Sequence, residues 1–257
     1  VYVALKFKDG ITEDIKTTVK NSITAEIGEN LGIMSIDTIF TDPQNTFIKI
    51  GTIFNFDPDL TGDSVDTIQT LISNTIIAYF NDNLTMFNKV LRLSALGTVI
   101  DALSPAILNT SFSVDAQQRL TTADLNLNVL RDYTINFPMP IAKPDDVNYI
   151  ISSTNFTYTG KTCIIRNKLN TTTLEVIEAS SGNIILDNAG SYNPSNGTIN
   201  LAGLTISSFE GSSWKINAKP ANVNTIKPLR NYILEYDALS SSVQGIFDYQ
   251  NTAVTIS

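Results

Sequence analysis

Apolar residues occupy the odd positions of Val1-Tyr2-Val3-Ala4-Leu5-Lys6-Phe7, a period of two that predicts a strand ending at Asp9-Gly10. The period then lengthens. Ile15, Val19, Ile23, Ile27 and Leu31 recur at steps of four, with Glu13 and Asp14 where a first helical turn favours negative charge and Gly32 as a stop. Two β-rich runs follow, Ser35 to Thr41 and Thr46 to Phe56, and the turn chemistry of Asp42-Pro43-Gln44-Asn45 between them predicts a hairpin. A second helical stripe comprises Val65, Ile68, Ile72, Ile76, Tyr79 and Phe80, with Asp63 or Ser64 as its cap. A shorter helix from about Ser94 to Leu103 places Leu96, Val99, Ile100 and Leu103 on one side and ends at Ser104-Pro105. Leu108, Thr110, Phe112 and Val114 then share one face of a strand over Ile107 to Val114.

This β-α-β-β-α-α-β order is that of a split βαβ, ferredoxin-like α/β sandwich, in which helices cover one face of a small antiparallel sheet. Beyond Ala116 the texture changes. After a short helical segment around Leu125 to Leu130, β-rich runs take over: Tyr133 to Phe137, Tyr149 to Ile151, Thr162 to Arg166, Thr173 to Glu178 and Asn183 to Leu186. Thr198 to Leu201, Trp214 to Asn217, Tyr232 to Tyr236 and Ile246 to Tyr249 continue the series, punctuated by Asn-Gly, Ser-Gly and Pro turns. The expected class is therefore α+β, with a sandwich domain over residues 1–115, a polar connector over 116–130 and a mainly antiparallel β-rich assembly domain over 131–257. No internal repeat is visible.

Composition sharpens this picture. With 257 residues and 42% hydrophobic content, the chain can bury roughly 70% of its unfolded surface, enough for one large or two ordinary domains. Only 16% of residues are charged, so surface polarity rests on Asn, Thr and Ser, which cost less to dehydrate than charges. The 25 acidic and 17 basic residues give a net charge of −8, the wrong sign for nucleic-acid binding, and no run of Lys or Arg offsets it. The single cysteine, Cys163, reads as a small hydrophobe within a strand and suits a reducing compartment. The longest apolar runs fall far short of the ~20 residues needed to cross a bilayer, so membrane insertion is not expected. The chain opens on Val1 without a signal peptide, and is read as an internal or processed piece of a longer protein.

The absence of histidine excludes Ser-His-Asp and Cys-His nucleophile systems and histidine-containing metal sites within these residues. Carboxylate pairs are not excluded by composition, but Asp145-Asp146 falls in a loop, and Glu175 and Glu178 face opposite ways on a strand. Thr159-Gly160-Lys161-Thr162 resembles the end of a phosphate-binding loop. Asn155 replaces its first glycine, however, and Cys163-Ile164-Ile165 continues as a strand where a helix is required, so a β-turn is expected. Asp57, Asp59, Thr61, Gly62 and Asp63 match the first half of a calcium loop, yet Ile68 sits where the bidentate glutamate belongs, leaving a helix-capping loop. Asn83, Asn109, Asn155, Asn170 and Asn196 open formal glycosylation acceptors that reflect the Asn- and Thr-rich composition. No catalytic, cofactor-binding or metal-ligating residue is assigned, and no enzymatic activity is expected.

The opening strand and helix, the run around Phe47-Ile48-Lys49-Ile50, and Ile76-Ile77-Ala78-Tyr79-Phe80-Asn81 leading to Leu91-Arg92-Leu93-Ser94-Ala95-Leu96 together carry a resemblance. Over residues 1 to about 114 the chain resembles the baseplate-J-like wedge proteins of contractile-tailed phages, in particular the C-terminal part of T-even-type wedge subunits. Gly190-Ser191-Tyr192-Asn193-Pro194 and the following residues to Leu201 look like a turn-and-strand signature of tail proteins. The resemblance implies a late virion protein, assembled in the host cytoplasm, that joins other baseplate wedge and tail proteins in a ring around the tail tube and rearranges on contraction. A homodimer is the expected self-contact. The alternative is a receptor- or carbohydrate-binding tail module using Trp214, Tyr232 or Tyr236, although their alternation with apolar residues fits core packing.

Overall fold

The alternation in Gln44–Phe56 is carried through in space: Thr46, Ile48, Ile50, Thr52, Phe54 and Phe56 are all buried, and the residues between them remain accessible. In the computed structural model, which describes residues 2–7, 10–31 and 38–249, this strand organises the first half. Along the chain that half supplies β1 (Tyr2–Ala4), α1 (Glu13–Leu31), β2 (Ile39–Thr41) and β3 (Gln44–Phe56). A single 3-10 turn at Pro58–Leu60 leads to α2 (Val65–Asn83), β4 (Leu91–Arg92), α3 (Leu93–Asp101) and β5 (Ile107–Leu120). Ser64 caps α2 as expected, its hydroxyl accepting from the Thr67 N–H at 3.2 Å. The apolar stripe of α2 packs Ile68, Ile72, Ile76 and Phe80 into the core.

The second half adds β6 (Leu130–Asn136), β7 (Ile151–Ser153), β8 (Phe156–Tyr158), β9 (Lys161–Asn167), β10 (Thr173–Glu178) and β11 (Ile184–Asn193). It continues with β12 (Thr198–Thr205), β13 (Ser208–Phe209), β14 (Trp214–Ala218), β15 (Thr225–Ile226), β16 (Tyr232–Tyr236) and β17 (Ser242–Phe247). One thirteen-stranded sheet dominates, in the order β16-β3-β5-β14-β7-β9-β10-β11-β12-β6, with β17 also beside β3 and β8 and β13 branching from β9. All its pairings are antiparallel except those of β16 and β17 with β3. The molecule is thus α+β with a mainly antiparallel β-rich part, and one buried cluster links Ile48, Ile72 and Phe80 to Val176, Leu201 and Trp214.

Several expectations change. No hairpin joins β2 to β3. The two edges of β3 are taken by β5 on one side and by β16 and β17 on the other, so β2 pairs in parallel with β1 in a separate two-stranded sheet. That direct β1–β2 pairing differs from a split arrangement, which would set another strand between them. Residues 116–120, expected in the connector, are instead the end of β5, paired with β14 from Ala116↔Ala218 to Leu120↔Trp214. Polar residues at 117–119 suggested a loop, yet in a two-sided sheet they are simply the strand's hydrogen-bonding positions. The helical segment expected near Leu125 is a pair of turns held by the Thr121 carbonyl, which accepts from the Asp124 and Leu125 N–H groups, each at 3.0 Å. Gly32 and Ser35 to Asp37 lie outside the described residues.

Gly245 in β17 fits because it lacks a side chain: a Cβ there would stand 2.4 Å from Val65 Cγ2 and 2.8 Å from the Phe54 ring. Gly190 in β11 has φ +134, and a Cβ would meet the Asn200 carbonyl oxygen at 2.0 Å. It starts the hairpin that ends in β12.

Candidate functional site

The strands at the two ends of the sheet order meet at one cleft. This opening, of about 610 Å³, is lined by residues 131–136 of β6, residues 118–120 of β5, and Gln44, Asn45 and Tyr232 at the starts of β3 and β16. The sheet therefore curls so that β6 comes to face β3 and β16. A backbone bond holds the approach, the Leu229 N–H donating to the Pro138 carbonyl at 3.0 Å.

Most polar groups around the cleft are fixed by the protein itself. The Gln118 amide donates to Thr46 Oγ1 at 2.8 Å, and Asp124 accepts from the Thr121 N–H and hydroxyl at 2.7 and 2.8 Å. Asp132 accepts from the Gly203 N–H at 2.8 Å. Two buried atoms of cleft-lining residues, Asn45 Oδ1 and the Tyr133 hydroxyl, have no hydrogen-bond partner among the described residues. Burial raises the Tyr133 hydroxyl above its ordinary pKa, with the nearby charge of Arg131 opposing. The cleft's four charged residues are Arg119, Arg131, Asp124 and Asp132, two of each sign. It therefore has no excess charge with which to select a phosphate or a cation.

Beside the cleft lies the most buried charge network. Asp237, only 3% exposed, accepts from Arg119 Nη2 and Lys215 Nζ, each at 3.0 Å. The Arg119 guanidinium stacks 3.4 Å above the Phe47 ring and donates from Nε to Gln117 at 2.8 Å. Lys215 also donates to the Ser240 hydroxyl at 2.8 Å. The Asp237 carbonyl accepts from the Ser241 hydroxyl at 2.7 Å, and the Ser241 hydroxyl oxygen accepts from the Ile50 N–H at 2.9 Å. Burial would raise the Asp237 carboxyl, but hydrogen bonds from Ser240 and Lys215 and the charges of Arg119 and Lys215 outweigh it, holding it down at about 2. The network ties β5, β14 and the β16–β17 connection to β3.

The motifs singled out in the sequence take structural roles. Thr159 and Gly160, with φ of 49° and 77°, form the two-residue turn between β8 and β9, and Lys161 pairs with Glu178 at 3.2 Å. Asp57 caps the 3-10 turn by accepting from the Asp59 N–H at 3.0 Å. Among the described residues no three Asp, Glu or Cys side chains gather as a metal site would require. Asp145 sits in a loop and accepts from the Val147 N–H at 2.9 Å and from the Asn148 N–H, which hold its carboxyl below the usual range. Glu175 is buried against Arg166 at 2.8 Å, and that guanidinium in turn covers the Tyr149 ring at 4.4 Å. Cys163 is fully buried in β9 and burial pushes its thiol up.

Of the three aromatics considered for binding, Trp214 is fully buried, 5.1 Å from the Phe156 ring, with its indole N–H donating to the Thr154 carbonyl at 3.2 Å. Tyr236 packs 5.1 Å from Phe80. Only Tyr232 reaches the cleft. The Asp237 network was not legible, because its members stand at 119, 215 and 237 and only the folded sheet brings them together; the one signal was charge within β-patterned runs. No helix of the described residues is long and apolar enough to cross a membrane. No protein-family model matches the chain, and no curated protein matches it as a relative.

Proposed function

We propose that the chain is a non-enzymatic, structural component of a contractile phage tail baseplate wedge, resident in the virion and joined to itself and to other wedge and tail proteins. One observation carries this reading: the buried charges, Asp237 with Arg119 and Lys215 and Glu175 with Arg166, bind strand to strand, and no three acidic or thiol side chains converge among the described residues. What the molecule offers outward is surface. Phe247 and Tyr249, stacked with ring centroids 6.1 Å apart, are 52% and 59% exposed beyond the end of β3, an apolar pair of the kind that interfaces cover. The element order of the first 115 residues supports kinship with a ferredoxin-like, baseplate-J-like module, and the direct pairing of β1 with β2 is a departure from it. A twofold homodimer is part of the proposal.

Light scattering across a dilution series, with assays for hydrolase, nucleotidase and glycosidase turnover, tests the reading. Self-association without turnover is the expected result. Turnover that survives purification and disappears on one carboxylate substitution would overturn it.

A receptor- or carbohydrate-binding module is the second reading, favoured by Tyr232 and neutral amides lining a cleft of the size small ligands occupy. Glycan-array binding lost on Tyr232→Ala, with folding intact by circular dichroism, would favour it. Trp214→Ala cannot serve as that test, since Trp214 is core.

A further inference from the structure

Six consecutive residues of β6, Arg131 to Asn136, line the cleft. Side chains alternate between the faces of a strand, so the feature all six share is the strand's edge. β6 pairs on one side only, with β12, and among the described residues none of its backbone groups bonds to another element. Alternate residues of an antiparallel edge strand turn their N–H and C=O groups outward. The cleft therefore presents a row of backbone donors and acceptors that have no partner among the described residues. An unpaired strand edge inside a cleft is the template for an added strand.

We infer that the cleft receives an extended, uncharged segment that adds to the free edge of β6, and that the occupant is residues 250–257 of a second copy of this chain. The balance of two Arg and two Asp in the cleft favours a neutral segment. Gln250 to Ser257 carries no charge, and Thr252, Val254 and Ile256 alternate with Ala253 and Thr255 in a period of two. Reach excludes the same molecule. Phe247 pairs with Phe56 at one end of β3 and the cleft lies at Gln44, the other end; twelve residues of strand span about 40 Å. The ten residues after Phe247 reach about 36 Å at most, and several of them would have to lie along β6. The contact must be made in trans, which goes beyond the homodimer proposed above by naming its parts.

The test is amide hydrogen exchange on the whole chain with the synthetic peptide Gln250–Ser257, amidated and acetylated, and with the same peptide N-methylated at alternate residues. At saturating peptide, exchange of outward amides in residues 130–136 should slow at least tenfold, and the methylated peptide should give no slowing. Deletion of residues 250–257 should weaken self-association in the dilution series while the melting temperature of the monomer stays unchanged. No slowing at millimolar peptide, or slowing elsewhere only, overturns the inference, and a dimer that persists in either case leaves the proposed function standing. Slowing of 130–136 by N-acetylglucosamine or maltotriose but not by the peptide also overturns it and gives the cleft to the glycan reading.

Discussion

Helices α1 and α2 are both nineteen residues long and both carry an apolar stripe at steps of four, yet they stand differently in the protein. In α2 the stripe is sealed, with Ile68, Ile72, Ile76 and Phe80 at most 1% exposed. In α1 no side chain among the described residues is buried, and Ile15 stands 50% exposed. Periodicity alone does not separate them. What separates them is the surface opposite: α2 lies on β3, β16 and β17, where Gly245 admits Val65 and Tyr236 meets Phe80. α1 belongs to the small β1–β2 sheet and is decorated by polar contacts, Lys16 to Glu13 at 2.7 Å and Lys20 at 5.8 Å from the Phe40 ring. A period of 3.6 predicts a helix with an apolar face; burial of that face depends in part on strands some 150 or more residues away.

Substitutions break or sharpen this contrast. Phe80→Ala should be the most damaging, costing about 3–5 kcal/mol in urea unfolding, because it empties the seam between α2 and Tyr236. Gly245→Ala should cost about 1–3 kcal/mol, since the added methyl must displace Val65 or Phe54. An unchanged midpoint would mean that β17 does not hold α2 as described.

The third effect depends on pH. The folded Asp237 carboxyl, at about 2, lies below its ordinary value of 3.8, so its contribution is present above pH 4 and is lost as pH falls through 2. After allowing for solvent screening this amounts to about 1–2 kcal/mol. Melting curves from pH 5 to pH 2 should fall more steeply for the parent chain than for Asp237→Asn, whose carboxamide does not titrate. Parallel curves would remove the ionic latch from the stability of the β16–β17 connection. Smallest of all, Ile15→Ala on α1 should change stability by no more than about 0.5 kcal/mol. A loss comparable with that at Phe80 would show that α1 is packed after all.

Individual strands were legible from their β-rich runs, whatever the distance to their partners. Thr173–Glu178 and Tyr232–Tyr236 match their expected bounds. Pairing was not legible. β16 and β17 return to β3 across nearly two hundred residues, and nothing in Tyr232 to Tyr236 names that partner. The two-residue strands β4, β13 and β15 are too short to have a period. The connector was misread at its start because Gln117-Gln118-Arg119 is polar, whereas these residues bond across the sheet to Asn217, Thr46 and Asp237. Limited proteolysis is the corresponding check. Cleavage within residues 121–129 should leave both pieces bound under native conditions, since β14 and β16–β17 grip the first piece. Pieces that separate without denaturant would support the two-domain division.

For the cleft and the charge network alike, composition announced only what they lack. Without histidine the chemistry was narrowed at once. The cleft itself required the curled sheet, since its walls come from β3, β5, β6 and β16.

The most direct measurement is imaging of purified tail particles assembled with a chain labelled at Leu239, a turn residue that is 97% exposed and so accepts a tag without disturbing the core. The expected result is labelled density repeated around the tail tube at the level of the baseplate. Intact, contraction-competent particles that contain no copy of the chain would contradict the structural role.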